Sequence, residues 1–257
     1  MVNAAKAPTV RYVALGDSFT EGVGDDGSDG MIGWADRVAR SLASHEGRPV
    51  GYANLAIRGR TLDAIITEQV NQALSLRPLP TLVTLCGGGN DMLRPGFTVQ
   101  KLQWMMRGAI ARLLAVDATV VIVTPADPSA QLPFGRMIHS RGSQLADANE
   151  VIARDMGVLI ANVSRDDPIR SGAYWSDDRL HLNRLGYERV AGLVTSTLTG
   201  SDIVPDLVPA RARNTALDHA VFARTHLVPW VHRRLRGRSS GDGRSARYPD
   251  WVEFAPS

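Results

Sequence analysis

The sequence predicts a three-layer α/β/α domain built on a five-stranded parallel sheet. Two observations carry this. Five short apolar segments, residues 12–15, 52–56, 81–86, 119–124 and 158–161, have the length and composition of strands. Helical periodicity fills residues 34–42, 62–74, 99–114, 138–155 and 183–198, so strands and helices alternate. That alternation predicts a parallel sheet covered on both faces.

In open sheets of this kind the ligand crevice lies beyond the carboxyl ends of the strands. The residues just past each strand are therefore informative. The first apolar run closes on Gly16-Asp17-Ser18, a tight turn that lifts a serine hydroxyl from the sheet edge. A lone serine is a poor nucleophile and needs a base, an orienting acid and an oxyanion trap. The second strand leads into Asn54-Leu55-Ala56-Ile57-Arg58-Gly59, and the third into Gly87-Gly88-Gly89-Asn90-Asp91. After the fifth, residues 162–179 form a long segment that delivers Asp178-Arg179-Leu180-His181 just before the last helix. With strand order 2-1-3-4-5 the first three loops are neighbours, and the long final loop brings a residue in from the far edge of the sheet.

These four blocks, in this order, resemble the signature blocks of the SGNH/GDSL hydrolases, and the resemblance spans roughly residues 11–199. Phe19 and Ala56 stand where members often carry leucine and a small or glycine residue; neither change touches a reacting group. The resemblance implies a flavodoxin-like fold and a serine hydrolase acting on esters. It also implies roles: Ser18 as nucleophile, Asp178 and His181 as acid and base, and Ser18, Gly59 and Asn90 as oxyanion donors. Asn54 would support the second loop. Residues 92–97 would lie beside the acyl or leaving-group pocket, with Tyr174 and Trp175 opposite.

The residues support these assignments on their own terms. Ser18 could instead cap a helix. Asp17 is better suited to binding backbone N–H groups than to attack. The surroundings of Ser18 do not form the Gly-X-Ser-X-Gly elbow of α/β-hydrolases. Of six histidines, His45 lies in a charged helix end, His139 opens a helix, and His219, His226 and His232 fall late in the chain. Only His181 has an acid three residues before it and a helix after it. Asp177 is the neighbouring rival to Asp178. Gly59 lacks a Cβ, so its N–H can come close to a substrate. Asn90 carries an N–H₂ that never needs deprotonation. The glycine run 87–89 lacks the Lys-Ser/Thr of a phosphate-binding P-loop. Cys86, at the end of an apolar strand, reads as a small buried hydrophobe.

Composition bounds the rest. With 257 residues and 44% apolar content the chain can bury one sizeable core. Residues 1–200 are expected to form the catalytic domain and 201–257 a helical, basic extension. In that extension an apolar stripe (Leu217, Val221, Val228, Val231, Leu235) precedes an arginine cluster and three late aromatics. Packing on the catalytic domain is the expectation for it; a membrane-surface contact is the alternative. A net charge of +3 gives no nucleic-acid signal. No apolar run has membrane-spanning length, and Pro8 interrupts the N-terminus. The single cysteine suits a reducing compartment, so a cytoplasmic setting is expected. No cluster has metal-ligand spacing, and neither metal nor cofactor is expected. The expected activity is cleavage of a short-chain carboxylic ester. Its rivals are a thioesterase or lysophospholipase with the same machinery, and a non-catalytic acyl or carbohydrate binder on the same fold.

Overall fold

The computed structural model describes residues 10–27, 30–133, 135–201, 204, 225 and 240–256. Five parallel strands form the body of one sheet: β1 (Arg11–Leu15), β2 (Val50–Asn54), β3 (Leu82–Leu85), β4 (Thr119–Val123) and β5 (Leu159–Ala161). Their spatial order is 2-1-3-4-5, as the sequence predicts. β1 sits centrally, paired with β2 through Tyr12 and Tyr52 and with β3 through Tyr12 and Leu82.

Among the described residues the α-helices are α1 (Ser18–Glu21), α2 (Trp34–Glu46), α3 (Leu62–Ala64), α4 (Asn71–Ser75), α5 (Gly89–Met92), α6 (Val99–Leu114), α7 (Gly135–Met156) and α8 (Arg184–Thr199). A π-helical segment, Ile65–Val70, joins α3 to α4. The two faces of β1 show why its sequence is an unbroken apolar run. Tyr12 and Ala14 pack with α2 and α8 on one face, and Val13 and Leu15 pack with α6 and α7 on the other. All four side chains are fully buried, so alternation with polar residues is impossible.

Among the described residues the sheet has six strands, one more than expected. β6 (Tyr248–Phe254) pairs antiparallel with β2, Val50 opposite Phe254 and Asn54 opposite Tyr248. The late aromatics are therefore strand residues. Tyr52 meets the rings of Phe254 and Tyr248 at centroid distances of 5.0 and 5.7 Å. Trp251 donates to the carbonyl of Pro78 at 3.1 Å, and Arg247 reaches the buried Asp36 at 2.9 Å. This strand escapes a reading by helical periodicity because it lies on an edge, where only the sheet partner and one face constrain it. The expected stripe from Leu217 to Leu235, with the arginines beyond it, lies outside the described residues. Among the described residues no helix is long and apolar enough to cross a membrane.

Candidate active site

The carboxyl ends of β1, β2 and β3 meet at one place, and the long segment after β5 returns to it. Asp17 is the N-cap of α1, its carboxylate accepting the Phe19 N–H at 3.1 Å. Ser18 is thus the first residue of the helix, not its cap, and its hydroxyl is left free of that duty.

His181 Nε2 lies 2.9 Å from Ser18 Oγ, and His181 Nδ1 lies 2.6 Å from Asp178 Oδ2. The acid is itself held from three sides. Asp178 Oδ1 accepts the backbone N–H of His181 at 2.9 Å, that of Leu180 at 3.0 Å and the Ser176 hydroxyl at 2.8 Å. The turn that allows this runs through Arg179 in the left-handed region, φ +56°; a side chain there is strained and must be held by its surroundings. Burial works to raise the Asp178 carboxyl. The hydrogen bond and charge of His181, with the two backbone N–H groups, outweigh it and hold the carboxyl well below the usual carboxylate range. Asp177, the neighbouring candidate, is exposed.

Asn90 and Gly59 flank the serine from the other loops. Asn90 Nδ2 donates to Asp17 Oδ2 at 2.9 Å and to the carbonyl of Arg60 at 3.0 Å, so it joins the first and third loops to the second. Gly59, just before Arg60, has φ +75°, a turn for which glycine is the low-cost residue. Asn54 caps its own loop by accepting the Ala56 N–H at 3.1 Å, and reaches the carbonyl of Thr20 at 3.3 Å. Asp17 is only 6% exposed, and burial raises its carboxyl to about 6 against the pull of Phe19 N–H, His181 and Asn90. Cys86 is buried, and burial pushes its thiol well up, so it is a packing residue. Tyr174 and Trp175 also join the core instead of walling a cleft. His45 and His139 are exposed, and the three late histidines lie outside the described residues.

Three supporting residues have no motif to announce them. Gln69, 1% exposed, donates to the Gly16 carbonyl and accepts the Gly16 N–H, both at 2.8 Å. It stands on the π-helical segment, a distortion often found beside functional sites. A polar residue on the otherwise apolar face shared with Ile65 and Val70 is the one sequence signal for it. Glu21 binds Arg58 through its backbone N–H at 2.6 Å and its guanidinium at 2.7 Å, fixing the loop that carries Gly59. At Gly24, φ +99°, a Cβ would collide with the carbonyl of Leu182 and lie 3.2 Å from the His181 Cβ. Among the described residues no three His, Cys, Asp or Glu side chains converge as a metal-ligand set.

The profile of the GDSL-like Lipase/Acylhydrolase family matches residues 14–189. The chain belongs to this family. As an acylhydrolase of the SGNH/GDSL type it is a serine esterase, a hydrolase of carboxylic esters. Solved structures agree in fold. TesA is 23% identical with a TM-score of 0.60 and covers 74% of this chain and 98% of its own. The psychrotrophic esterase EstA from Pseudoalteromonas sp. is 19% identical, TM-score 0.58, covering 74% and 97%. The acetyl xylan esterase AlAXEase is 19% identical, TM-score 0.56, covering 73% and 98%. No curated protein matches the sequence.

Proposed function

We propose that this GDSL-family member cleaves esters of short, acetyl-like acyl groups through an acyl-enzyme formed on Ser18. The observation that carries the reading is the unbroken chain from Asp178 through His181 to the Ser18 hydroxyl, with hydrogen bonds of 2.6 and 2.9 Å. In this mechanism His181 Nε2 takes the Ser18 proton as Oγ attacks the ester carbonyl carbon. Asp178 orients the ring through Nδ1–H and stabilises the imidazolium. The tetrahedral intermediate then collapses, and His181 hands its proton to the departing alkoxide. A water activated by the same imidazole attacks the acyl-enzyme, and the carboxylic acid leaves.

The developing oxyanion is assigned to the Ser18 N–H, the Gly59 N–H and the Asn90 amide. Both Asn90 amide hydrogens already have acceptors, Asp17 and the Arg60 carbonyl. An oxyanion therefore takes one of them over, and the remaining bond keeps the amide aimed.

Two proteins of similar fold favour a small acyl group: one is an acetyl xylan esterase, and EstA was solved inhibited by monoethylphosphonate. A non-catalytic binder would have no use for a serine, imidazole and carboxylate aligned in this way. The buried, single Cys86 fits the cytoplasmic setting that we also propose.

The test is a fluorophosphonate probe followed by a panel of p-nitrophenyl esters and acyl-CoAs of graded chain length. Labelling at Ser18 with fastest turnover of acetyl and butyryl esters is the expected result. Faster turnover of acyl-CoAs would make the protein a thioesterase, and no labelling would return it to the binders.

A further inference from the structure

A cavity of about 300 Å³ opens at the same end of the sheet, past the third loop. Its walls come from the end of β4, the segment after β5 and one side of α7, with Met92 of α5 also in the lining. It adjoins the proposed reaction centre. Gly89, the residue before Asn90, lies between the two: a Cβ there would stand 3.7 Å from Asp17 Oδ2 and 3.8 Å from the Cβ of Pro125, another wall residue.

The cavity has both apolar and polar walls, and its polar side is a hydrogen-bonded cluster around Asp127. Asp127, with its side chain 8% exposed, accepts the Ser129 N–H at 2.9 Å and faces His139 Nδ1 at 2.7 Å and the Arg170 guanidinium at 3.4 Å. Burial alone would raise this carboxyl, but its bonds to His139 and Ser129 and the charge of Arg170 hold it below the usual range. The Arg170 carbonyl is pinned by Gln131 at 2.8 Å, and Asp127 caps the short helix Pro128–Ala130. With His139 Nδ1 directed at Asp127, Nε2 is the ring nitrogen left for a ligand, and in the neutral ring it is an acceptor.

The charge balance decides what fits. Arg170 is neutralised by Asp127, and Arg165, the other guanidinium in the wall, binds Asp147 and Glu150. A free anion would therefore find its cations already paired. A long alkyl chain fares worse, because it would strip water from Asp127, Arg170 and His139 and return no hydrogen bonds. A group with several hydroxyls can donate to Asp127 and His139 Nε2, accept from Arg170, and keep all three satisfied. The volume is at the small end for ligand sites, suited to one ring-sized group and not to an extended chain.

We propose that this cavity is a subsite for a hydroxyl-rich part of the ester, a polyol or a single sugar unit, gripped by Asp127, His139 and Arg170. The proposal rests on the ester-hydrolase reading above and names its substrate class.

The experiment compares kcat/KM for p-nitrophenyl acetate, p-nitrophenyl octanoate and mono-acetylated glycerol, xylose and glucose. It uses wild type, His139→Ala, His139→Gln, Arg170→Ala and Asp127→Asn, each checked for an intact melting transition. Wild type should prefer at least one polyol acetate to the octanoate. His139→Ala, Arg170→Ala and Asp127→Asn should each lower the ratio of polyol-acetate to p-nitrophenyl-acetate efficiency about tenfold, mainly through KM, the size of one or two lost hydrogen bonds. His139→Gln, which keeps a polar group there, should recover part of it. Preference for the octanoate, or variants that slow all acetates by one factor, would overturn the subsite while leaving the esterase intact. No turnover of any ester would sink the esterase reading and the subsite with it.

Discussion

Asn90 donates its side-chain amide to the buried carboxylate of Asp17 at 2.9 Å, binding the loop after β3 to the turn that presents Ser18. The contact places a charge where water barely reaches. Burial raises the Asp17 carboxyl from 3.8 to about 6, with Asp91 nearby adding to the effect and three polar partners opposing it. A folded-state value above the unfolded one means that the native protein holds this proton more tightly. The associated stability is complete below about pH 4 and is lost as pH rises through 6, on the order of 2–3 kcal/mol for a shift of this size.

Asp17→Asn should remove that dependence. Urea unfolding at pH 4, 5, 6 and 7 should show the stability of the variant relative to wild type rising across the window. A difference that stays flat would mean that Asp17 titrates normally. The same variant should lose kcat, since Phe19 N–H and Asn90 bind different oxygens of Asp17 and an amide puts a donor NH₂ in place of one of them.

Ser18→Ala and His181→Ala should each reduce kcat by roughly 10⁴-fold or more, and the double variant should be no slower than either, because the pair acts as a unit. Both should melt like wild type. A Ser18→Ala protein that retained a tenth of the activity would remove Ser18 from the chemistry.

Asn90→Ala should lower kcat by about 10²–10³-fold with little change in KM, as expected for a donor used mainly in the transition state. Loss confined to KM would move Asn90 to substrate binding. In parallel, Asp178→Asn should cost far more activity than Asp177→Asn, since only Asp178 touches the imidazole.

Gln69→Leu should destabilise the fold by about 2–4 kcal/mol, because it strands both backbone groups of Gly16 in the core. The informative readout is kcat in the fully folded protein. A fall of tenfold or more, with KM held, would show that the π-helical segment aims the serine turn; unaltered kcat would reduce Gln69 to a structural brace.

Ending the chain at Arg247 deletes β6 and uncovers the edge of β2. The expected result is a melting temperature several degrees lower and a tendency to associate through the bare edge. Activity per folded molecule should persist, since the serine, imidazole and carboxylate all lie upstream. A stable but inactive truncated protein would show that the strand holds the nearby Gly59 loop in place.

Much of this protein is written in local sequence. The apolar runs of β1, β3 and β4 are unbroken because both faces of the sheet are covered. Gly16-Asp17-Ser18 and Asp178 to His181 are legible because a serine turn and a three-residue acid–imidazole spacing are local features that chemistry restricts tightly. The strand order that brings the first three loops together followed from the family resemblance those blocks carry, and the fold has it.

Other features exist only in three dimensions. Gln69 looks like one more helix residue until the fold sets it against Gly16, 53 positions away. Asp127 and His139 are an unremarked pair until β4 and α7 pack and aim both at one cavity. β6 gains its role from the open edge of β2, nearly two hundred residues earlier in the chain. In each case the deciding contact joins residues distant in sequence, and a buried polar group finds its partner only after the core has closed around it.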